Sequence, residues 1–181
     1  MGRNLQDAFS ISFDGSTKTG VSIKAPSNGY IGYAPHALVK NELFIFGGYG
    51  DPKKVIEFAM TIFENNFIQI AKFSGCEWHE QSTKLINNID AGSAALSVEN
   101  GEKALLCFPD DSESKKCEVF DGTASVSTYS TFSRHWGGKL GLFKGQPTTV
   151  GNDGSSDDSN NVETLSYSGW LTLADFPRFS R

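Results

Sequence analysis

Ile70-Ala71-Lys72-Phe73-Ser74-Gly75-Cys76-Glu77-Trp78 can be laid on Val162-Glu163-Thr164-Leu165-Ser166-Tyr167-Ser168-Gly169-Trp170 without a gap. Each segment opens on an apolar residue, carries another three positions on, follows it with Ser and closes on Trp. The two tryptophans stand 92 residues apart, which is two repeats of about 46, the period of a four-stranded propeller blade. Upstream of each segment lies a pair of short apolar runs split by a turn. In the first repeat these are His36-Ala37-Leu38-Val39, Lys40-Asn41, then Leu43-Phe44-Ile45-Phe46-Gly47-Gly48. The middle repeat has Ala94 to Val98, a turn at Glu99-Asn100-Gly101, then Ala104 to Phe108. The third begins near His135, passes through Leu140-Gly141-Leu142-Phe143 and ends its second run at Thr148-Thr149-Val150-Gly151-Asn152. Short β-branched and aromatic runs around Asn/Gly turns predict hairpins.

The unit is therefore an inner strand, a turn, a second strand ending in small residues, a polar loop, a third strand and a last strand near the Trp. In this order His36 through Gly48 is similar to the kelch signature, an apolar strand closing on a Gly-Gly doublet. The resemblance runs over residues 30–177. It implies an all-β fold, a kelch-like β-propeller in a partial or open ring of about three four-stranded blades. It also implies structural roles for Gly47 and Gly48, and a packing role between blades for Trp78 and Trp170. The blades are expected at about 31–90, 91–130 and 131–178. Residues 1–30 form an N-terminal segment in which Phe9 to Phe13 and Val21 to Ile23 alternate like strands that could complete a blade.

The repeats are unequal. Only the first has the doublet, with Phe108-Pro109 and Gly151-Asn152 in its place elsewhere, and the middle repeat has no Trp after Cys117-Glu118-Val119-Phe120. Gly48 to Trp78 spans 30 residues, against 18 from Asn152 to Trp170. The surplus lies near Asp51 to Asn66, where Val55, Ala59, Ile62 and Phe63 recur at helical spacing. An inserted helical turn or two, an extended hairpin hinging on Glu64-Asn65-Asn66, or a longer third strand accounts for it.

The chain has 181 residues, 38% of them hydrophobic, and a net charge of −5. It can bury one sizeable core, and its acidity disfavours nucleic acid and anionic membrane surfaces as partners. No apolar run approaches the ~20 residues of a spanning helix, so membrane insertion is not expected. The amino terminus lacks the apolar core of a signal peptide. That predicts a cytoplasmic chain, or a secreted one where a signal lies upstream of these residues. Cys76, Cys107 and Cys117 form no C-x-x-C pair, but the hairpin reading sets Cys107 and Cys117 on adjacent strands, within reach of each other.

Catalysis and cofactors are not expected. A copper centre of the galactose-oxidase type needs clustered His and Tyr ligands. His36, His79 and His135 are scattered, as are Tyr30, Tyr33, Tyr49, Tyr129 and Tyr167. His36 and His135 are expected to open matching inner strands in a structural role. Each second strand is followed by acidic residues: Asp51, then Asp110-Asp111, then Asp153 with Asp157-Asp158. Solvated turns use aspartate freely, yet equivalent loops emerge on one face of a ring, which makes these six the candidate surface for a partner protein. A scaffold for protein binding is therefore the leading expectation, and a matrix-type structural protein the second. Three blades leave two open edges, which invite self-association.

Overall fold

The computed structural model describes residues 7–11, 16–22, 34–48, 68–90, 92–109, 114–151 and 161–173. Two-residue turns organise most of the hairpins. Lys40-Asn41, Gly75-Cys76 and Lys144-Gly145 all take positive φ at both positions, the type I′ geometry whose twist matches that of the strands it joins. Around them form β3 (His36–Val39), β4 (Glu42–Phe46), β5 (Ile70–Ser74) and β6 (Glu77–Glu80). The next sheet holds β7 (Ala94–Val98), β8 (Lys103–Cys107), β9 (Cys117–Phe120) and β10 (Ser125–Ser127). The last holds β11 (Lys139–Phe143), β12 (Gln146–Val150), β13 (Val162–Ser166) and β14 (Gly169–Thr172). Each is an antiparallel meander of four strands in sequence order. In the N-terminal segment β1 (Asp7–Ile11) and β2 (Lys18–Ser22) pair with each other in a sheet of their own. The stretch 51–66, with its helical spacing, lies outside the described residues.

Register makes the three sheets superimposable. His36 faces Ile45, Ile45 faces Ala71, and Ala71 faces Glu80. The same row reads Ala95, Leu106, Glu118, Ser127 in the second sheet and Leu140, Thr149, Glu163, Thr172 in the third. Trp78 pairs with Phe73 and Trp170 with Leu165, and the middle sheet puts Ser125 opposite Phe120 at that point. The first strands meet, β3 against β7 and β7 against β11, so the inner strand of each unit is its first. Ser97 Oγ ties β7 to β3 by accepting from Leu38 N (3.0 Å) and donating to Leu38 O (2.8 Å).

Because strand side chains alternate, each sheet has two faces with different tasks. Ala37, Val39, Phe44, Phe46 and Ile70 form one face of the first sheet and pack against Ala95, Ala104, Leu106 and Phe120 of the second. Phe120 meets Phe44 and Phe46 edge-on, at 5.2 and 5.6 Å between centroids. The corresponding face of the second sheet, Ala94, Val98, Leu105, Cys107 and Cys117, receives Leu140, Leu165 and Trp170 of the third. Trp170 is 3% exposed and its Nε1 donates to Tyr129 O at 3.0 Å. Trp78 is half-buried against Phe73, 5.1 Å between centroids.

The expectation that His36 and His135 open matching strands is overturned. His36 begins β3 and is exposed, and its register partner in the third sheet is Leu140. His135 precedes β11, cut off from it by a turn in which Gly138 N donates to His135 O at 2.7 Å. A buried carboxylate, described below, holds its ring there. Removing Trp170 takes a buried indole out of an inter-sheet contact, so Trp170→Ala is expected to cost about 3–5 kcal/mol, and Trp78→Ala less because its side chain is only half-buried. Urea denaturation of both variants checks the order.

Candidate functional site

The corner where each second strand ends is built alike in all three sheets. Gly47, Phe108 and Gly151 occupy the same register position and have φ of 53°, 62° and 72°. Left-handed backbone is natural for glycine, and it is retained at Phe108, where a non-glycine residue costs about 1–2 kcal/mol. Phe108 is fully buried and its N–H reaches Lys116 O at 3.0 Å, as Gly47 N reaches Gln69 O at 2.8 Å. The doublet is thus a backbone shape, which Phe108-Pro109 preserves in part without glycine. From these corners the loops 48–67, 109–116 and 152–160 set out at one end of the three sheets. The candidate partner residues Asp51, Asp110, Asp111, Asp153, Asp157 and Asp158 belong to them and lie outside the described residues.

Two segments, 81–93 and 128–138, connect one sheet to the next. Each is bonded on both sides. Leu85 N donates to Ile68 O (2.8 Å) and Gly48 N to Ile89 O (3.0 Å), tying the first connecting segment to the sheet before it. From the sheet after it, the fully buried Glu118 accepts from Ile86 N (2.9 Å), Asn87 N (3.1 Å), Asn87 Nδ2 (3.2 Å) and Ser125 Oγ. The second segment repeats the scheme. Thr131 N and His135 N donate to Lys115 O and Ser114 O of the preceding sheet, at 2.9 and 3.3 Å. Glu163 of the following sheet accepts from Phe132 N and Ser133 N, both at 2.7 Å. Ala71 stands at this register position in the first sheet.

His135 completes the second pin. Its Nε2 lies 3.1 Å from Glu163 Oε1 and its Nδ1 2.7 Å from Gly151 O, with both side chains fully buried. Both ring nitrogens therefore face oxygen acceptors. Burial pushes the Glu163 carboxyl upward, but the bonds from His135, Phe132 N and Ser133 N together outweigh it and hold the carboxyl below its ordinary value near 4.5. With no solvent contact and its bonding capacity used, the pair holds loop to sheet. Trp136 is a further clamp: its Nε1 donates to Asp90 Oδ1 at 3.1 Å, and its ring sits where a Cβ on Gly92 would be.

The sequence carried a sign of these pins in an acidic residue at the same place in two apolar third strands, Cys117-Glu118-Val119 and Val162-Glu163-Thr164. Cys107 and Cys117 face each other across β8 and β9 in a disulfide, 4.1 Å between Cα atoms. His79 is exposed, its Nε2 3.2 Å from Ser74 O, and Tyr167 stands out at the β13–β14 tip. Tyr129 packs on Gly169; Tyr30, Tyr33 and Tyr49 lie outside the described residues. Among the described residues no three of His, Cys, Asp or Glu converge as metal ligands.

Neither a family model nor a curated protein matches the chain. It is similar to the solved structure of YjhT, with a TM-score of 0.69 at 14% identity over 94% of this chain. The chain spans 59% of the length of that protein. At this identity the likeness concerns the fold, and with the three superimposable four-stranded sheets it is that of an all-β, propeller-like arrangement.

Glu163 supplies a test by pH. A carboxyl held low in the folded state contributes stability that is present above its unfolded value and is lost as pH falls through the folded one. Glu163→Gln is expected to lose about 3–5 kcal/mol at neutral pH and to show a shallower decline on acidification below pH 4.5. Denaturation midpoints across the acid range measure both.

Proposed function

We propose that this chain is a protein-interaction scaffold of kelch-type repeats, presenting the loops between second and third strands to a partner protein. The observation that carries the reading is the common corner at Gly47, Phe108 and Gly151, which starts all three loops from one end of the blades. The connecting segments are bonded to the blades on both sides, which fixes the frame at this end. Loop chemistry on a fixed frame is a common basis of recognition. In sequence these loops carry Asp51, Asp110, Asp111, Asp153, Asp157 and Asp158. A field of one sign steers a basic partner and weakens with salt. Converting Asp110, Asp111, Asp157 and Asp158 to Asn is expected to deplete the proteins captured from a native extract at low salt. An unchanged set with unchanged salt sensitivity overturns the acidic-face reading.

A second reading, a matrix-type structural protein, is favoured by the Cys107–Cys117 bridge, since such bonds persist in oxidising compartments. Intact-mass analysis after alkylation, with and without reductant, on protein from its native source distinguishes the two. Cys76 alkylates either way, so two further alkylated cysteines gained only on reduction support export, and three alkylated without reductant remove it.

A further inference from the structure

The two connecting segments match position for position. Leu85 to Asp90 and Thr131 to Trp136 share one alternation of burial, inward at the first, third and fifth residues and outward at the second and fourth. Extended chain produces that alternation. The inward residues differ in kind, Leu85, Asn87 and Ile89 against Thr131, Ser133 and His135, and the second outward residue is polar, Asn88 or Arg134. The first outward residue is large and apolar in both. Ile86 is 51% exposed and Phe132 is 63% exposed. They stand 46 residues apart, and each donates its N–H to Oε2 of a buried glutamate, Glu118 at 2.9 Å and Glu163 at 2.7 Å. With buried residues on both sides, neither side chain can turn inward without turning a neighbour out. Single exposed apolar residues are ordinary. One held outward at the same point of two successive repeats is a pattern.

The loops between second and third strands leave from the same end. Gly48, which opens the first loop, donates to Ile89 O, and Pro109, which opens the second, accepts from Ser93 Oγ. The first connecting segment thus runs between those two loops. Ser114 and Lys115, which close the second loop, accept from His135 N and Thr131 N on either side of Phe132. Gly151 O, opening the third, meets His135 Nδ1, so the second segment runs between the second and third loops. We infer that Ile86 and Phe132 are the apolar anchors of the partner surface, and that they take an extended, basic segment of a partner protein bearing two large apolar side chains. The inference rests on the scaffold reading and adds its contact residues. Charge sets the basic character, because the flanking loops carry Asp51, Asp110, Asp111, Asp153, Asp157 and Asp158 in sequence, and opposite potentials steer association. Reach sets the spacing. Packed sheets lie about 10 Å apart, and extended chain covers that in about three or four residues at ~3.3 Å each. Anchors already fixed by their backbone lose little freedom on binding, and a few desolvated side chains carry most of the energy of a contact.

A library of random dodecapeptides displayed on phage, selected on the immobilised full chain, supplies the probe. The expected consensus pairs two large apolar residues three or four positions apart with Lys or Arg. A synthetic peptide of that sequence is then titrated by fluorescence anisotropy. Ile86→Ser and Phe132→Ser are each expected to weaken it about tenfold or more, with circular dichroism and melting temperature unchanged, since only exposed side chains are altered. Converting Asp110, Asp111, Asp157 and Asp158 to Asn should weaken it as well and flatten its salt dependence. Selection of no consensus, or a peptide that binds both serine variants as it binds the natural chain, overturns the anchors. In the second case, weakening by the four Asn changes alone keeps the scaffold reading. Weakening by the serine changes alone upholds the anchors and overturns the acidic face.

Discussion

A carboxylate in the middle of a β-sheet loses its hydration and must recover it from fixed donors. Glu118 and Glu163 do so from the backbone of the segment entering their own blade, at Ile86-Asn87 and Phe132-Ser133. The consequence reaches beyond the two side chains. A connecting segment wedged between two sheets carries N–H groups that neither sheet edge can accept, and orphaned buried donors are costly. The carboxylates take the donors on one side, and carbonyls such as Ile68, Lys115 and Ser114 take those on the other. Without these pins the blades would share apolar faces, which set no register, and a few polar ties such as Ser97 to Leu38. With them, each blade is fixed in height and angle on its neighbour.

That fixed stacking gives the two blade faces unlike chemistry. The face a blade turns to its successor, its socket, collects large flat surfaces, as with Phe44 and Phe46. The opposite face, its plug, supplies edges or an indole to the blade before, as with Phe120 and Trp170. The junctions are not copies of one another. Where the plug carries Trp170, the socket is made of smaller groups, Ala94, Leu105 and the Cys107–Cys117 bridge. Where the socket carries two phenylalanines, the plug trims to Ala95 and Ala104. Ser125, standing where the other blades have Trp, turns its hydroxyl to Glu118. Large and small residues are distributed differently across the two junctions, as the tolerance of interiors to compensated substitution allows.

Much of the blade architecture was legible because it is local. Period-two alternation and two-residue turns fix each hairpin, and a hairpin fixes Phe73 opposite Trp78 and Leu165 opposite Trp170 whatever surrounds them. The face-to-face position of Cys107 and Cys117 followed from the same reasoning. His135 was misread because its environment is not local: Glu163, which decides its place, is 28 residues away in sequence. Nothing in Arg134-His135-Trp136 distinguishes a strand start from a connecting segment. The acidic pins were passed over for the complementary reason. A glutamate between apolar residues reads as the solvent side of a strand, unless the donors that neutralise it are known.

Phe108 shows how far a repeat can drift while its geometry persists. A left-handed residue without glycine is kept only where the surroundings over-determine it. Here the ring is enclosed in the blade 2–3 core and packs 5.3 Å from the His135 ring, its N–H is bonded to Lys116 O, and the preceding residue is bridged to Cys117. The side chain that makes the conformation unfavourable is thus the one that fills the space beside the buried His135–Glu163 pair. Glycine at this corner would relieve the backbone and leave a void against the hydrogen-bonded pair. Packing and backbone oppose each other at this residue, and the blade has settled for packing.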